Sequence, residues 1–234
     1  GRAAGGSLAA WAGSSQADYL DAVLHGREVV ADELAAKLMV VQSAGKPRPL
    51  SKFESKQLLL KPLHSTLYSR ISREKWLLRG PPTQRALSRA GFLEGAGLLV
   101  SGDYRSASDG LSVEVAEAVL DVLQARSVFV PAEVWRLARV SLRATLWTCD
   151  GPECLGAWSC HGEVSRGQMM GALLCFPLLC LQNRLAFLWS GFSRKTPCLI
   201  NGDDILFQTP DRVAVERWFS VLPTVGLEPE LSKT

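Results

Sequence analysis

Residues 198–207 read Cys-Leu-Ile-Asn-Gly-Asp-Asp-Ile-Leu-Phe. Two apolar runs flank a turn signal, Asn201-Gly202-Asp203-Asp204, so the segment predicts a hairpin with two acids at its tip. Taken alone, a solvated turn explains those acids as well as a functional one. Burying adjacent carboxylates without a cation is expensive. A tight turn also brings their oxygens together, as hard divalent cations require. A second segment has the same form: Leu98-Leu99-Val100-Ser101-Gly102-Asp103, with Asp109 six residues later. As isolated features, Asp103 is a strand-end turn acid and Asp109 an acid favoured at a helix N-terminus. If this run forms a buried strand beside the hairpin, Asp103 and Asp203 meet at one sheet edge. With Asp204 they make three carboxylates able to hold two metal ions about 3.5–4 Å apart, the arrangement that drives in-line phosphoryl displacement.

Charge separates along the chain. Of 234 residues, 26 are Lys or Arg and 23 Asp or Glu, for a net of +3. Residues 46–89 hold eleven of the cations and two of the acids, a net of +9, which leaves −6 for the remainder. A basic block beside an acidic remainder points to a polyanionic partner; a solvated basic face is the plain alternative. With 47% hydrophobic and 21% charged residues, a sizeable core is available. Disordered, collagen-like and disulfide-scaffold classes are excluded.

The periodicity predicts an α+β chain. A Gly/Ala/Ser-rich start over residues 1–16 reads as mobile. Helical spacing runs from 17 to 43, through Leu20, Val23, Leu24, Val30, Leu34, Leu38 and Val41, and stops at Gly45-Lys46-Pro47. Ser112 caps a helix over 113–125, Pro131 opens one over 131–143, and an apolar helix spans 173–190. Residues 148–161 form a hairpin or irregular loop, and Thr209-Pro210-Asp211 opens a last helix to 222. Ser165 to Gly171 form a Gly-rich loop ahead of the apolar helix, where glycines permit close approach of backbone to a ligand. Residues 171–181 are too short for a membrane span, are interrupted by Pro177, and are followed by Gln182, Asn183 and Arg184.

Six cysteines fit three disulfides by number, yet three lie in very apolar surroundings. That pattern predicts a reducing, intracellular compartment rather than secretion. Cys149, Cys154, Cys160 and His161 form C-x4-C-x5-C-H, a non-standard spacing for zinc that also suits a plain hairpin. His25 and His64 lack Ser and acid partners for a hydrolytic triad. Trp76 either stacks on a flat ring of a ligand or is buried. No secretory leader follows Gly1, and no closing element precedes Lys233-Thr234, so the chain reads as a fragment.

The order D-x5-D (Asp103, Asp109), then SRGQMMGALLCFPLLCLQN, then INGDDILF resembles palm motifs A, B and C of viral RNA-dependent RNA polymerases. The form of the middle block is most similar to the ourmiavirus-like and narnavirus-like lineage. Val225-Gly226-Leu227 with Ser232-Lys233-Thr234 resembles motif D. Lys61-Pro62-Leu63-His64 and the run from Lys75 to Gly80 resemble the basic motif F. The likeness covers residues 58–234.

The resemblance implies a right-hand polymerase fold with the thumb missing: fingers elements over 1–92 and palm over 93–234, with 126–161 an insertion. It implies template-directed transfer of nucleotidyl groups to an RNA 3′-OH, for viral genome replication, with Mg²⁺ or Mn²⁺ as cofactor. RNA template, product strand and nucleoside triphosphates would be the partners. Asp103 and Asp203 would be the principal metal ligands and Asp204 the auxiliary one. Asp109 would sense the ribose 2′-OH, and Arg73, Lys75 and Arg79 would hold the triphosphate. Ser165, Gly167 and Gly171 would lie against RNA or nucleotide, Asn183 would do the same or be structural, and Lys233 would be the proton donor at pyrophosphate. Cys175 stands where many such polymerases have Asn. A reverse transcriptase shares this geometry but has an aromatic before the Asp pair and a bulky steric gate. A non-catalytic RNA-binding remnant is the other alternative, against which the three acids weigh.

Overall fold

The computed structural model describes residues 33–43, 45–150 and 156–232. Expectations for residues 1–32, Cys154 and Lys233 lie outside the described residues. The chain divides into two compact units: Gly1–His64 with Ala116–Cys175, and Ser65–Val115 with Phe176–Thr234.

The first unit contains a four-stranded sheet in the order β2-β1-β4-β5. β1 (Ala35–Ser43) and β2 (Lys46–Phe53) form an antiparallel hairpin. This corrects the helix expected over 17–43 across its described part. Leu34, Leu38 and Val41 imitate a helical stripe, but Gly45 at φ 74° closes a tight turn, and eight residue pairs zip the strands together. β4 (Thr145–Cys149) pairs parallel with β1 and antiparallel with β5 (Trp158–Glu163), giving the hairpin expected near 148–161.

Three helices carry the chain between the units. α1 covers Lys61–Ile71. A second helix, Val113–Ala125, is capped where Ser112 Oγ accepts from Val115 N at 3.1 Å. The apolar helix covers Cys175–Trp189, with Pro177 in its first turn, where its missing N–H costs nothing. Helix Ala132–Leu142 follows Pro131 in the first unit as expected. No described helix is long and apolar enough to cross a membrane.

The second unit is built on an antiparallel three-stranded sheet in the order β3-β7-β6. β3 is Leu98–Gly102, β6 is Cys198–Asn201 and β7 is Asp204–Thr209. β3 is an edge strand, not a buried one: Leu99 is 63% exposed on its outward face. Under the sheet lie Phe187, Phe192, Phe207 and Trp218, in ring contacts of 4.5 to 5.3 Å. A Cβ on Gly102 would come within 2.7 Å of the Trp218 ring, so this position leaves room for the indole. The last helix, Arg212–Val221, is capped by Asp211, whose Oδ1 accepts from Val213 N at 2.9 Å. Thr209 Oγ1 accepts in turn from Asp211 N at 3.2 Å.

Gly226 sits at φ 82°, and a Cβ there would lie 2.6 Å from Ser112 N and nearer still to Gly110 O. Gly162 has φ 84° with open space around it. Alanine at either position pays left-handed strain of about 1–2 kcal/mol. Gly226→Ala also forces two backbone segments apart. Urea titrations should therefore show Gly226→Ala clearly less stable than Gly162→Ala, and equal losses would contradict the packing described.

Candidate active site

The β6–β7 hairpin turns on Gly202 and Asp203, and Asp204 begins β7 opposite Asn201. Gly202 has φ 66°, a left-handed conformation that side chains rarely adopt, and it packs on Phe176 and Leu179. β3 pairs with β7 so that Gly102 lies opposite Ile205. Asp103, the next residue, therefore emerges beside Asp204. The sheet thus brings Asp103, Asp203 and Asp204 to one edge, although 100 residues separate the first two.

Their charges interact. Partial desolvation, then Asp203, then Asp103 push the Asp204 carboxyl above its usual range. Like charges so close disfavour full ionisation of Asp204. Asp103 is half-buried and the other two are exposed. The donor set is all carboxylate oxygen, which suits Mg²⁺ or Mn²⁺. Among the described residues, no three His, Cys, Asp or Glu side chains already converge to hold one ion. Repulsion between like charges is consistent with this spread, and a divalent cation would offset it.

A buried amide holds the turn. Asn183, fully buried in the apolar helix, donates from Nδ2 to Gly202 O at 3.2 Å and to Asp203 O at 3.5 Å. Its Oδ1 accepts from the Tyr104 hydroxyl at 2.8 Å. Gly202 N donates to Cys180 Sγ at 3.3 Å. Of the two roles open to Asn183, contact with RNA or nucleotide and a structural one, its burial and its bonds to the turn fit the structural one. Sequence reasoning missed Tyr104 and Cys180. An aromatic next to Asp103 and a cysteine inside an apolar run look like ordinary core.

Asp103 is also tied to a distant segment. Its carbonyl accepts from Glu230 N at 2.9 Å, and Tyr104 forms a bridge with Pro229. Arg105 pairs with Glu230 at 2.9 Å and Glu228 at 3.5 Å. Hydrogen bonds from Arg105 and Ser232 hold the Glu230 carboxyl down at about 2. Asp109 is exposed on the short helical turn Ala107–Gly110, with its N–H donated to Ser106 O. Ser106, at φ 43°, is the one non-glycine with positive φ among the described residues.

The basic residues are placed separately. Leu77 bridges parallel to Ile200, so this segment runs beside β6. Arg79 is at the end nearer Gly202 and lies 4.8 Å from the Tyr68 ring. Tyr68 meets Phe176 edge-on at 5.5 Å. Arg73 and Lys75 line a cavity with Cys198, at the other end of the strand. The loop with Ser165, Gly167 and Gly171 belongs to the first unit. There Ser51 N donates to Met170 O at 2.9 Å, and Gly171 closes tightly on the Ser51 backbone. His161 Nε2 shares a hydrogen bond of 2.7 Å with Thr148 Oγ1, and Cys149 Sγ donates weakly to Asp150 O.

No protein-family model matches the chain. Two viral polymerases do. The RNA-dependent RNA polymerase of Ourmia melon virus is 33% identical over 153 residues, 57% of this chain and 17% of its own length. The RNA-directed RNA polymerase of Saccharomyces 20S RNA narnavirus is 27% identical over 192 residues, 75% of this chain and 22% of its own. The chain is similar in sequence to viral RNA polymerases. It spans about a fifth of the length of these relatives. Among solved structures, the RNA-dependent RNA polymerase of bacteriophage phi12 superposes with a TM-score of 0.63 at 16% identity, covering 97% of this chain and 46% of that one. Telomerase from Candida tropicalis gives 0.60 at 11% identity, over 85% of this chain and 49% of that one. Telomerase from Candida albicans gives 0.62 at 13%, over 87% and 41%. These likenesses are of fold: the chain has the mixed α and β polymerase fold that these proteins share.

Tyr104→Phe should test the amide clamp. It leaves Asn183 Oδ1 buried without its donor, at a cost of about 1–3 kcal/mol. Chemical denaturation should show that loss with the fold retained. An unchanged midpoint would mean that the Tyr104–Asn183 bond does not hold the edge.

Proposed function

We propose that the intact protein is an RNA-directed RNA polymerase, which copies an RNA template by transferring nucleotidyl groups from nucleoside triphosphates to an RNA 3′-OH. The observation that carries this reading is the meeting of Asp103, Asp203 and Asp204 at one sheet edge. Similarity to two viral RNA polymerases chooses the reaction from among those such an edge can serve. Replication of a viral RNA genome is the corresponding role.

Asp103 and Asp203 would hold the divalent cations, with Asp204 as auxiliary ligand. When bound, such ions activate the 3′-OH and neutralise charge on the phosphoryl oxygens. The chain's own part is positioning. The β3–β7 pairing fixes the spacing of the acids, and Asn183 fixes the height of the turn. Asp109, exposed on its helical turn, can accept a hydrogen bond from a ribose 2′-OH. Arg79, beside the turn, offers a guanidinium to the triphosphate. Ser165, Gly167 and Gly171 remain the part of the first unit assigned to template or nucleotide, and Lys233 the proton donor at pyrophosphate. Burial of the Cys180 and Cys198 thiols supports a reducing compartment such as the cytoplasm.

In the full-length protein, Asp203→Asn should lower Mg²⁺-dependent incorporation of labelled nucleotide by about 10²-fold or more while circular dichroism stays unchanged. Asp204→Asn should be milder. It also removes charge repulsion, so without divalent ions its thermal stability should equal or exceed that of the parent. Near-normal incorporation by Asp203→Asn, in a preparation free of wild-type enzyme, would overturn the reading.

A further inference from the structure

The second unit contains a cavity of about 870 Å³ at the opposite end of β6 from the acids. Thr196 and Cys198 line it, whereas Gly202 and Asp203 follow the other end of the strand. Four residues at about 3.3 Å each separate the two places by roughly 10 Å or more. Arg73, Lys75 and Arg89 reach the cavity from before β3, and Arg184, Arg194 and Lys195 from the apolar helix and the loop after it. Glu74 is the one acid in its lining, and it is engaged by Arg70 at 3.1 Å. Six further cations therefore surround a space with no acid left over. Two of them, Arg194 and Lys195, are exposed and lie outside the basic block seen in the sequence.

Arg184 distinguishes this wall from a solvated basic face. It is only 6% exposed. Its guanidinium lies 4.9 Å from the Phe187 ring and 5.7 Å from that of Trp76, and its charge acts on the Cys198 thiol. Burial pushes that thiol up to about 12, so it supplies no counter-charge at neutral pH. Nη1 of Arg184 has no hydrogen-bond partner. Ring faces offset part of the cost of a buried cation, but an uncompensated one remains expensive. An anion in the cavity would offset that charge.

We infer that this cavity is a second phosphate site, which takes the backbone of a single-stranded RNA segment away from the catalytic edge. The inference rests on the polymerase reading only in choosing RNA as the polyanion. Six cations exceed what one phosphate group needs, and the cavity is far larger than one phosphate. Leu181, Leu185 and Leu188 add an apolar wall, with Leu185 40% exposed, against which bases can lie.

Fluorescence anisotropy of a short labelled oligouridylate on the full chain, over a range of salt, tests the site. Nucleotides are absent, so a protein that makes no RNA still gives an answer. The double variant Arg194→Glu with Lys195→Glu changes two exposed side chains and should weaken binding at least tenfold. Two lost phosphate contacts should also reduce the salt slope by about 1.4. Arg184→Met keeps the apolar stack and removes the charge, so it should weaken binding while Tm holds or rises. Inorganic tripolyphosphate should displace the strand only at millimolar concentration. Unchanged affinity and slope in the double variant would overturn the site. Displacement by micromolar tripolyphosphate would overturn its assignment to a strand.

Discussion

The carboxamide of Asn183 joins both acid-bearing strands. It donates to the carbonyls of the Gly202-Asp203 turn and accepts from Tyr104, the residue after Asp103. All of this lies in the buried interior, where an unpaired polar group is costly and a paired one is rigid. Two strands could pair with the same register and still let their tips drift. A buried amide bonded to both limits that drift to about the tolerance of a hydrogen bond. The relative placement of the acids thus depends on a fully buried residue that carries no charge itself.

Asn183 has polar neighbours on both sides, and all three are buried. Successive helical residues point about 100° apart, so Gln182, Asn183 and Arg184 aim at three different elements. Gln182 donates to Ser112 O, ahead of the helix it caps. Asn183 holds the hairpin turn, and Arg184 reaches Cys198 at the base of β6. The apolar helix is thus buried on most of its circumference, with Leu185 and Trp189 left exposed, and its polar triplet fixes its rotation as well as its depth. A helix held by apolar contacts alone could turn by some tens of degrees at little cost; two hydrogen-bonded side chains and a guanidinium set between aromatic rings oppose it.

Much of this was legible in the sequence where the signal is local. The hairpin from 198 to 209 combines two apolar runs with a turn that only Gly202 allows, and the pairing of Asp103 with it followed from a matching strand end. The stretch from 35 to 43 misled, because Leu34, Leu38 and Val41 fall at helical intervals by accident and the partner strand decides the outcome. The role of Asn183 was hidden for another reason: nothing near it in sequence shows that a turn lies overhead. The cationic cavity was hidden by distance, since Arg73 and Lys75 meet Arg194 and Lys195 across some 120 residues. Charge counted in windows finds the basic block but not the groups that complete it.

β3 lies at the edge of its sheet, and just beyond it Asp103 is pinned by Glu230 N, with Arg105 bound to Glu228 and Glu230. Its partner strand, β7, is itself a hundred residues downstream. During synthesis, therefore, the first acid emerges long before anything that can hold it. It stays without its pairing until residue 209 is available and without its last restraint until residue 230. Closing so long a loop is slow compared with forming the helices made in between. The acid-bearing edge is thus among the last features of the second unit to become ordered, after most of the surrounding core is in place.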